Sequence, residues 1–398
     1  MRHTLRLITA LVVLATGCVR IPINRSPSDG TSPAITAHDL ELRLTAFADD
    51  SAMGREAGTI WNVKATDWVA AQFAKYGLQP AGDSGTYFQT VPNIRVRDTT
   101  VPRGPARNVI GIIRGSDPVL RNEYVAITGH NDHIGFTRQP VDHDSLRAFN
   151  TVVRPLGADS PRRAATPEEI VRIRAILDSL RKIHKPRLDS IDNGADDDGS
   201  GTVALIELAE AFAKQGVRPR RSILFVSHTA EEKGLLGSAW YTDHSTIPMD
   251  SIVAEIDVDM IGRGSAFDIK AGGPTYLEVV GLRRLSNEYG DWFEAVNARE
   301  PLPFRFNYEY DAPGHPEQYY CRADHYSYAR YGVPSVSLSR GSHMDYHQIT
   351  DEAQYIDYPD YARLVQLVFD ASLYVANVDH RPALSVPKPV NPHVPCKQ

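Results

Sequence analysis

Five short apolar runs constrain this chain more than any other feature. They are NVIGII at 108–113, EYVAIT at 123–128, SILFVS at 222–227, SIVAEIDV at 251–258 and PSVSLS at 334–339. Runs of this length read as buried strands. Helical patterns lie between and beyond them. GTVALIELAEAFAKQG turns Val203, Leu205, Ile206, Leu208, Ala209 and Phe212 to one side, and YARLVQLVFDASLYVANV near the end is a second amphipathic helix. Strands alternating with helices specify an α/β fold: three αβα layers around a mostly parallel sheet covered on both faces.

The front of the chain reads as an export signal. Arg2, His3 and Arg6 form a basic start, LITALVVLA is the apolar stretch, and Leu14-Ala15-Thr16-Gly17-Cys18 follows. The small residues before Cys18 are similar to a bacterial lipobox, although Ala15 stands where that motif prefers Leu. The expectation is a lipoprotein-type signal over 1–17, with Cys18 lipidated. The mature protein would then be anchored to a membrane, facing the periplasm or the cell exterior. An ordinary secretory signal is the alternative. No other stretch is apolar for long enough to span a bilayer. Cys321 and Cys396 fit no CxxC motif, and would either pair in an oxidising compartment or stay free.

A Pro- and Ser-rich tether runs over 18–35. A helical N-terminal segment follows over 36–105, with helices from Thr36 to about Phe47 and from about Trp61 to Tyr76. The main domain covers 106–378. Within it, 137–190 interrupts the alternation and carries a helix opening at Thr166-Pro167, a good cap. Such a segment is either a surface excursion or a wall or lid for a cleft. A Pro-rich tail covers 379–398. The net charge of -6, with no basic stripe, argues against nucleic-acid binding.

The chemistry gathers where the apolar runs end. His130 and Asp132 follow the second run, Glu231 and Glu232 the third, Asp259 the fourth, and His347 lies beyond the fifth. Asp197 sits in the turn GADDDGSG before the strong helix. In open α/β sheets ligands bind at the carboxyl ends of the strands. One sheet edge would therefore collect two histidines and several carboxylates, a donor set that suits two zinc ions. Asp132 is near enough to fix the tautomer of His130, and His133 competes with His130 for the metal. The adjacent Glu231 and Glu232 repel one another unless a cation intervenes, which suggests one ligand and one general base. Asp257 and Asp259 share a side in a regular strand, so spacing leaves the choice between them open. His228 reads as a core or rim histidine.

GHNDHIG, NGADDDGSG, AEEKGLLGS, DVDMIG and YHQITD, in this order, resemble the motifs of the co-catalytic di-zinc aminopeptidases, secreted bacterial enzymes with a phosphorylase/hydrolase-like αβα fold. DDSAMGREAGT and YGLQPAGDSGTYFQ resemble that family's N-terminal region. The resemblance implies a zinc-dependent aminopeptidase acting on peptides, with two Zn2+ ions per chain. His130 and Asp259 would hold one zinc, Glu232 and His347 the other, and Asp197 would bridge them. It selects Asp259 over Asp257. Glu231 would be the general base, Asp132 would orient His130, and Tyr346 would stabilise the tetrahedral intermediate. The long 137–190 segment departs from the simple secreted enzymes and leaves specificity open. A single-zinc glutaminyl cyclase and a non-catalytic surface lipoprotein are the competing readings.

Overall fold

A nine-stranded mixed sheet organises the molecule. The computed structural model describes residues 31–216, 218–264, 269 and 272–398. The expected signal over 1–17, Cys18 and most of the tether lie outside the described residues. The strands are β1 (Gln79–Pro80), β2 (Phe88–Val91), β3 (Ala106–Ile113), β4 (Tyr124–His130), β5 (Gly135–Asp142), β6 (Leu188–Asp192), β7 (Ser222–His228), β8 (Ile252–Val258), β9 (Tyr276–Val280), β10 (Arg305–Asn307) and β11 (Ser335–Ser339). The large sheet runs β1-β3-β7-β4-β8-β11-β9-β10, with β2 also on β3, while β5 and β6 form a separate pair. Its centre is parallel: β4 pairs in parallel with β7 and β8, and β8 with β11. The β3–β7 and β9–β11 pairings are antiparallel.

All five apolar runs are strands. Alternation along them divides the core. On β4, Val125 and Ile127 face one layer, whereas Tyr124 and Ala126 face the other. The first layer contains α1 (Ala37–Phe47), α2 (Ile60–Lys75), α5 (Gly201–Lys214), α7 (Asn287–Asn297) and α9 (Tyr358–Asn377). The second contains α6 (Leu236–Asp243) and α8 (His325–Ala329), which contribute Tyr241 and Tyr328. Thr36 caps α1 by accepting the Asp39 N–H at 3.0 Å. α2 ends before Gly77, whose φ of +74° suits a residue without a Cβ.

The front of the chain is built into this core. Leu40, Leu44, Val69 and Phe73 pack with α5 and α9. Arg43, 1% exposed, pairs with Glu207 and Glu210 of α5, so its buried charge is matched by carboxylates. The segment expected to be helical also supplies β1 and β2 to the sheet edge. These strands are two and four residues long, too short for a period-two pattern to mark them. β9 escaped notice in the sequence for a related reason: Glu278 interrupts its apolar run.

The 137–190 segment begins within β5 and closes with β6, its return strand. Between them lie α3 (His143–Val153) and α4 (Pro167–Leu180). α4 opens with a complete capping box between Thr166 and Glu169. The tail after 378 has no regular element and is fastened by the Cys321–Cys396 disulfide. Among the described residues, no helix is long and apolar enough to cross a membrane.

Candidate metal centre and cleft

The proposed site residues come from five segments gathered at the carboxyl end of the parallel strands. His130 ends β4. Glu231 and Glu232 follow β7, Asp259 follows β8, and Asp197 lies in the turn before α5. The loop after β11 brings in Tyr346 and His347. Three non-glycine residues here, Ala230 (φ 56°), Met260 (φ 57°) and His347 (φ 53°), hold left-handed backbone conformations. Such strain persists only where surrounding packing enforces it.

The three consecutive aspartates have different jobs. Asp196 accepts the Gly262 N–H at 2.6 Å and meets His343 Nε2 at 3.1 Å. Asp198 accepts the N–H groups of His130 and Gly201, each at 2.8 Å. Both therefore tie loops together. Asp197 is turned into the site. Its Oδ1 lies 3.2 Å from His130 Nε2, and its Oδ2 lies 3.0 Å from His347 Nε2. His130 Nε2 also lies 3.8 Å from Asp259 Oδ1, and His347 Nε2 lies 2.9 Å from Glu232 Oε2. Two donor groups thus share Asp197: His130, Asp197 and Asp259, and His133, Asp197, Glu232 and His347.

His133 is the addition to the expected set. It is fully buried, its Nδ1 is 2.7 Å from Glu232 Oε1, and its ring stands edge-on to His347. Its position beside His130 singles it out in the sequence; its partnership with Glu232 does not.

The side chains fit metal ions. His130 Nε2, both ring nitrogens of His133, Asp197 Oδ2, Glu232 Oε1 and Asp259 Oδ1 are buried without hydrogen-bond partners. Buried polar atoms are normally satisfied. Lone-pair donors crowded this closely around a shared space are what a cation would complete. A further buried trio, His143, Asp189 and Glu352, is different, because Arg187 already bonds Glu352 and lies 3.5 Å from Asp189.

His130 is oriented by Asp132, through its main chain. Nδ1 lies 3.1 Å from the Asp132 carbonyl oxygen and 3.7 Å from its carboxylate. With Nδ1–H donating to the carbonyl, Nε2 keeps its lone pair for a metal. The Asp132 carboxylate accepts the Glu231 N–H at 3.2 Å, so it positions Glu231. Asp257 instead accepts the Thr128 hydroxyl at 2.9 Å, one step back along β8. His228 meets the Tyr328 hydroxyl at 3.1 Å, and burial lowers its pKa to about 3, so it is a neutral core residue.

Arg55 is a supporting residue that sequence reasoning missed. It is fully buried and donates to the carbonyls of Asn131 (3.2 Å), Asn193 (2.5 Å) and Gly194 (2.8 Å). It thereby joins the loop carrying His130 to the turn carrying Asp197. Burial lowers its pKa to about 10 against the pull of Asp351 and Asp132, so it stays charged at neutral pH. Asp351 supports the same turn, accepting the N–H groups of Asp196 and Asp197 at 3.1 Å. The local motif of Arg55, GR in a polar connector, carries no sign of partners so far along the chain.

Burial raises the pKa of Glu231; His130 opposes the shift, while Glu232 and Asp259 add to it. Burial and Asp197 also raise that of Glu232, but His347 and His133 outweigh them and bring it to about 2. The adjacent carboxylates are therefore driven apart.

A cleft opens from the centre, lined by Asp197, Glu231, Asp259, Tyr346 and His347 on one side. Tyr346 stacks on His347, and its hydroxyl is 3.4 Å from Arg322 Nη2. Among the described residues, the 137–190 segment does not line the cleft itself but braces residues that do. Its Asp159 holds Arg322 (3.1 Å), Ser342 (3.2 Å) and Tyr319 (3.3 Å).

Residues 108–372 match the family model of Peptidase family M28. Aminopeptidase YwaD of Bacillus subtilis is 31% identical over 212 residues, which is 49% of this chain and 41% of that protein. The chain spans about half or less of the length of the curated relatives it matches. Among solved structures, BSAP, a zinc aminopeptidase from Bacillus subtilis, aligns with a TM-score of 0.54 at 16% identity, covering 86% of this chain and 95% of that one. A glutaminyl cyclase from Bacteroides thetaiotaomicron aligns with a TM-score of 0.55 at 17% identity, covering 86% and 98%. At these identities the likeness is one of fold.

Proposed function

The chain belongs to peptidase family M28, and on that premise we propose that it is a two-zinc aminopeptidase removing N-terminal residues from peptides. The observation that carries the two-metal reading is the placement of Asp197, whose carboxylate oxygens face different histidines. His130 and Asp259 would hold one zinc with Asp197. Glu232 and His347 would hold the other with Asp197, and His133 stands beside Glu232. Bound zinc would polarise the scissile carbonyl and lower the pKa of water towards about 7.

The remaining work falls to the side chains. Glu231, outside both donor groups but lining the cleft, takes a proton from the attacking water. It later delivers that proton to the leaving amine. The Tyr346 hydroxyl donates to the oxyanion of the tetrahedral intermediate. Asp132 holds Glu231 by its backbone N–H and His130 by its ring. The acidic end of the cleft receives the free α-amine of the substrate, which limits cleavage to one residue.

The test combines zinc content with a substrate panel. The expected result is two zincs per chain and hydrolysis of aminoacyl amides that stops when the amine is acetylated or the zinc chelated. Equal cleavage of acetylated substrates would exclude an aminopeptidase. One zinc per chain, with ammonia released from peptides bearing N-terminal glutamine, would favour the cyclase reading.

We also propose, from the lipobox-like Leu14-Ala15-Thr16-Gly17-Cys18, that the enzyme is held outside the cytoplasm by a lipid attached to Cys18. A Cys321–Cys396 disulfide suits such an oxidising compartment. Mass spectrometry of the membrane-fraction protein should find an acylated Cys18 as its first residue; an unmodified N-terminus in the soluble fraction would overturn the anchor.

A further inference from the structure

The far end of the cleft contains an acid that the proposed chemistry does not use. β9 and β11 pair antiparallel there, with Glu278 opposite Ser339 and Val280 opposite Ser337. Residues two apart share a face of a strand, and all four line the cleft. Burial of Glu278, Val280 and Ser337 marks them as its floor, with Glu278 only 5% exposed. Gly341, also in the lining, leaves room for the carboxyl group: a Cβ there would come within 3.3 Å of Glu278 Oε2. The floor therefore consists of two serines, a valine and one carboxyl group.

No basic side chain among the described residues forms an ion pair with Glu278. Its hydrogen-bond partner is the Tyr276 hydroxyl at 3.2 Å. The nearby cation, Arg322, is already engaged by Asp159 at 3.1 Å, and Glu317 lies 3.7 Å away. Its charge is therefore spent within the wall, and it is poorly placed to receive an acidic substrate. Burial, against the opposing influence of Tyr276 and Arg322, pushes the Glu278 pKa up to about 8. An acid this deep gains most from a ligand that brings its own positive charge.

We propose that Glu278 selects substrates whose N-terminal residue carries a cationic side chain, lysine or arginine. The side chain would run past Val280 between the two serines, with its methylene groups on the apolar wall and its charge at Glu278. This assignment rests on the aminopeptidase reading for its substrate, and on the cleft alone for its chemistry. An uncharged side chain of equal length would leave the carboxyl group with Tyr276 alone, whereas a cationic one would add a close charge pair to it.

The test is binding of free L-lysine and L-norleucine to the full-length zinc-loaded protein by calorimetry. These ligands differ at the side-chain end and undergo no hydrolysis. Wild type should bind lysine at least about tenfold more tightly than norleucine. E278Q should lose that preference while keeping its affinity for norleucine, and E278L should reverse it. Equal binding of the two amino acids by wild type, or binding of neither, overturns the proposal even if a variant fails to fold. So does an unchanged preference in a cooperatively folded E278Q. Hydrolysis of lysyl amide, measured separately, tests the aminopeptidase reading: selective lysine binding without turnover sinks that reading and leaves the Glu278 assignment standing.

Discussion

Glu231→Gln is expected to keep two zincs per chain and to lower kcat by about 10²–10⁴-fold, the usual contribution of a general base. Glutamine has nearly the same size and shape, so the backbone bond from residue 231 to the Asp132 carboxylate, 3.2 Å in the native protein, should survive. What disappears is the ability to accept a proton. Glu231 stands outside both donor groups, and its Oε2 is 3.9 Å from His130 Nε2. Metal content and thermal unfolding should therefore change little. The measurement is single-turnover kinetics alongside zinc analysis on the same preparation. Near-native turnover with both zincs bound would remove Glu231 from the proton transfer. Loss of zinc together with activity would make it a ligand.

Asp197→Asn should have the broader effect. Each carboxylate oxygen faces a different histidine, so one substitution weakens both donor groups. Loss of an outer partner of a metal site costs about 10–100-fold in affinity, and loss of a shared ligand should cost at least that at each site. The expected outcome is fewer than two zincs per chain after dialysis and no measurable hydrolysis. Asp196→Asn is the matched control. Asp196 bonds Gly262 and His343, so its variant should lose stability yet retain both metals. Two tightly bound zincs in Asp197→Asn would rule out the shared position.

The fold was legible wherever a local pattern carried it. The apolar runs became the strands β3, β4, β7, β8 and β11, and the patterns from Gly201 and Tyr361 became α5 and α9. Burial on both faces requires continuous apolar strands, and that requirement is written in consecutive residues. β9 is different. It is buried throughout, yet it carries Glu278, because its floor position belongs to the cleft as well as to the core. Arg55 was illegible for another reason. Its partners, the carbonyls of Asn131, Asn193 and Gly194, are main-chain atoms, and main-chain atoms leave no residue-type signature. The same applies to the bond between His130 and the Asp132 carbonyl.

Residue chemistry and local periodicity therefore determined, from the sequence alone, that an αβα sheet would bring histidines and carboxylates to its carboxyl edge. They also marked Glu231 and Glu232 as a pair whose members must differ. The family resemblance picked Asp197 from its triplet, and only the tertiary structure decided that His133 joins Glu232, that Asp159 braces residues lining the cleft, and that Glu278 lies at its floor. Those outcomes depend on the register of β4, β8, β9 and β11 and on where each loop turns. Distances between side chains far apart in the chain are set by that register, and no run of neighbouring residues encodes them.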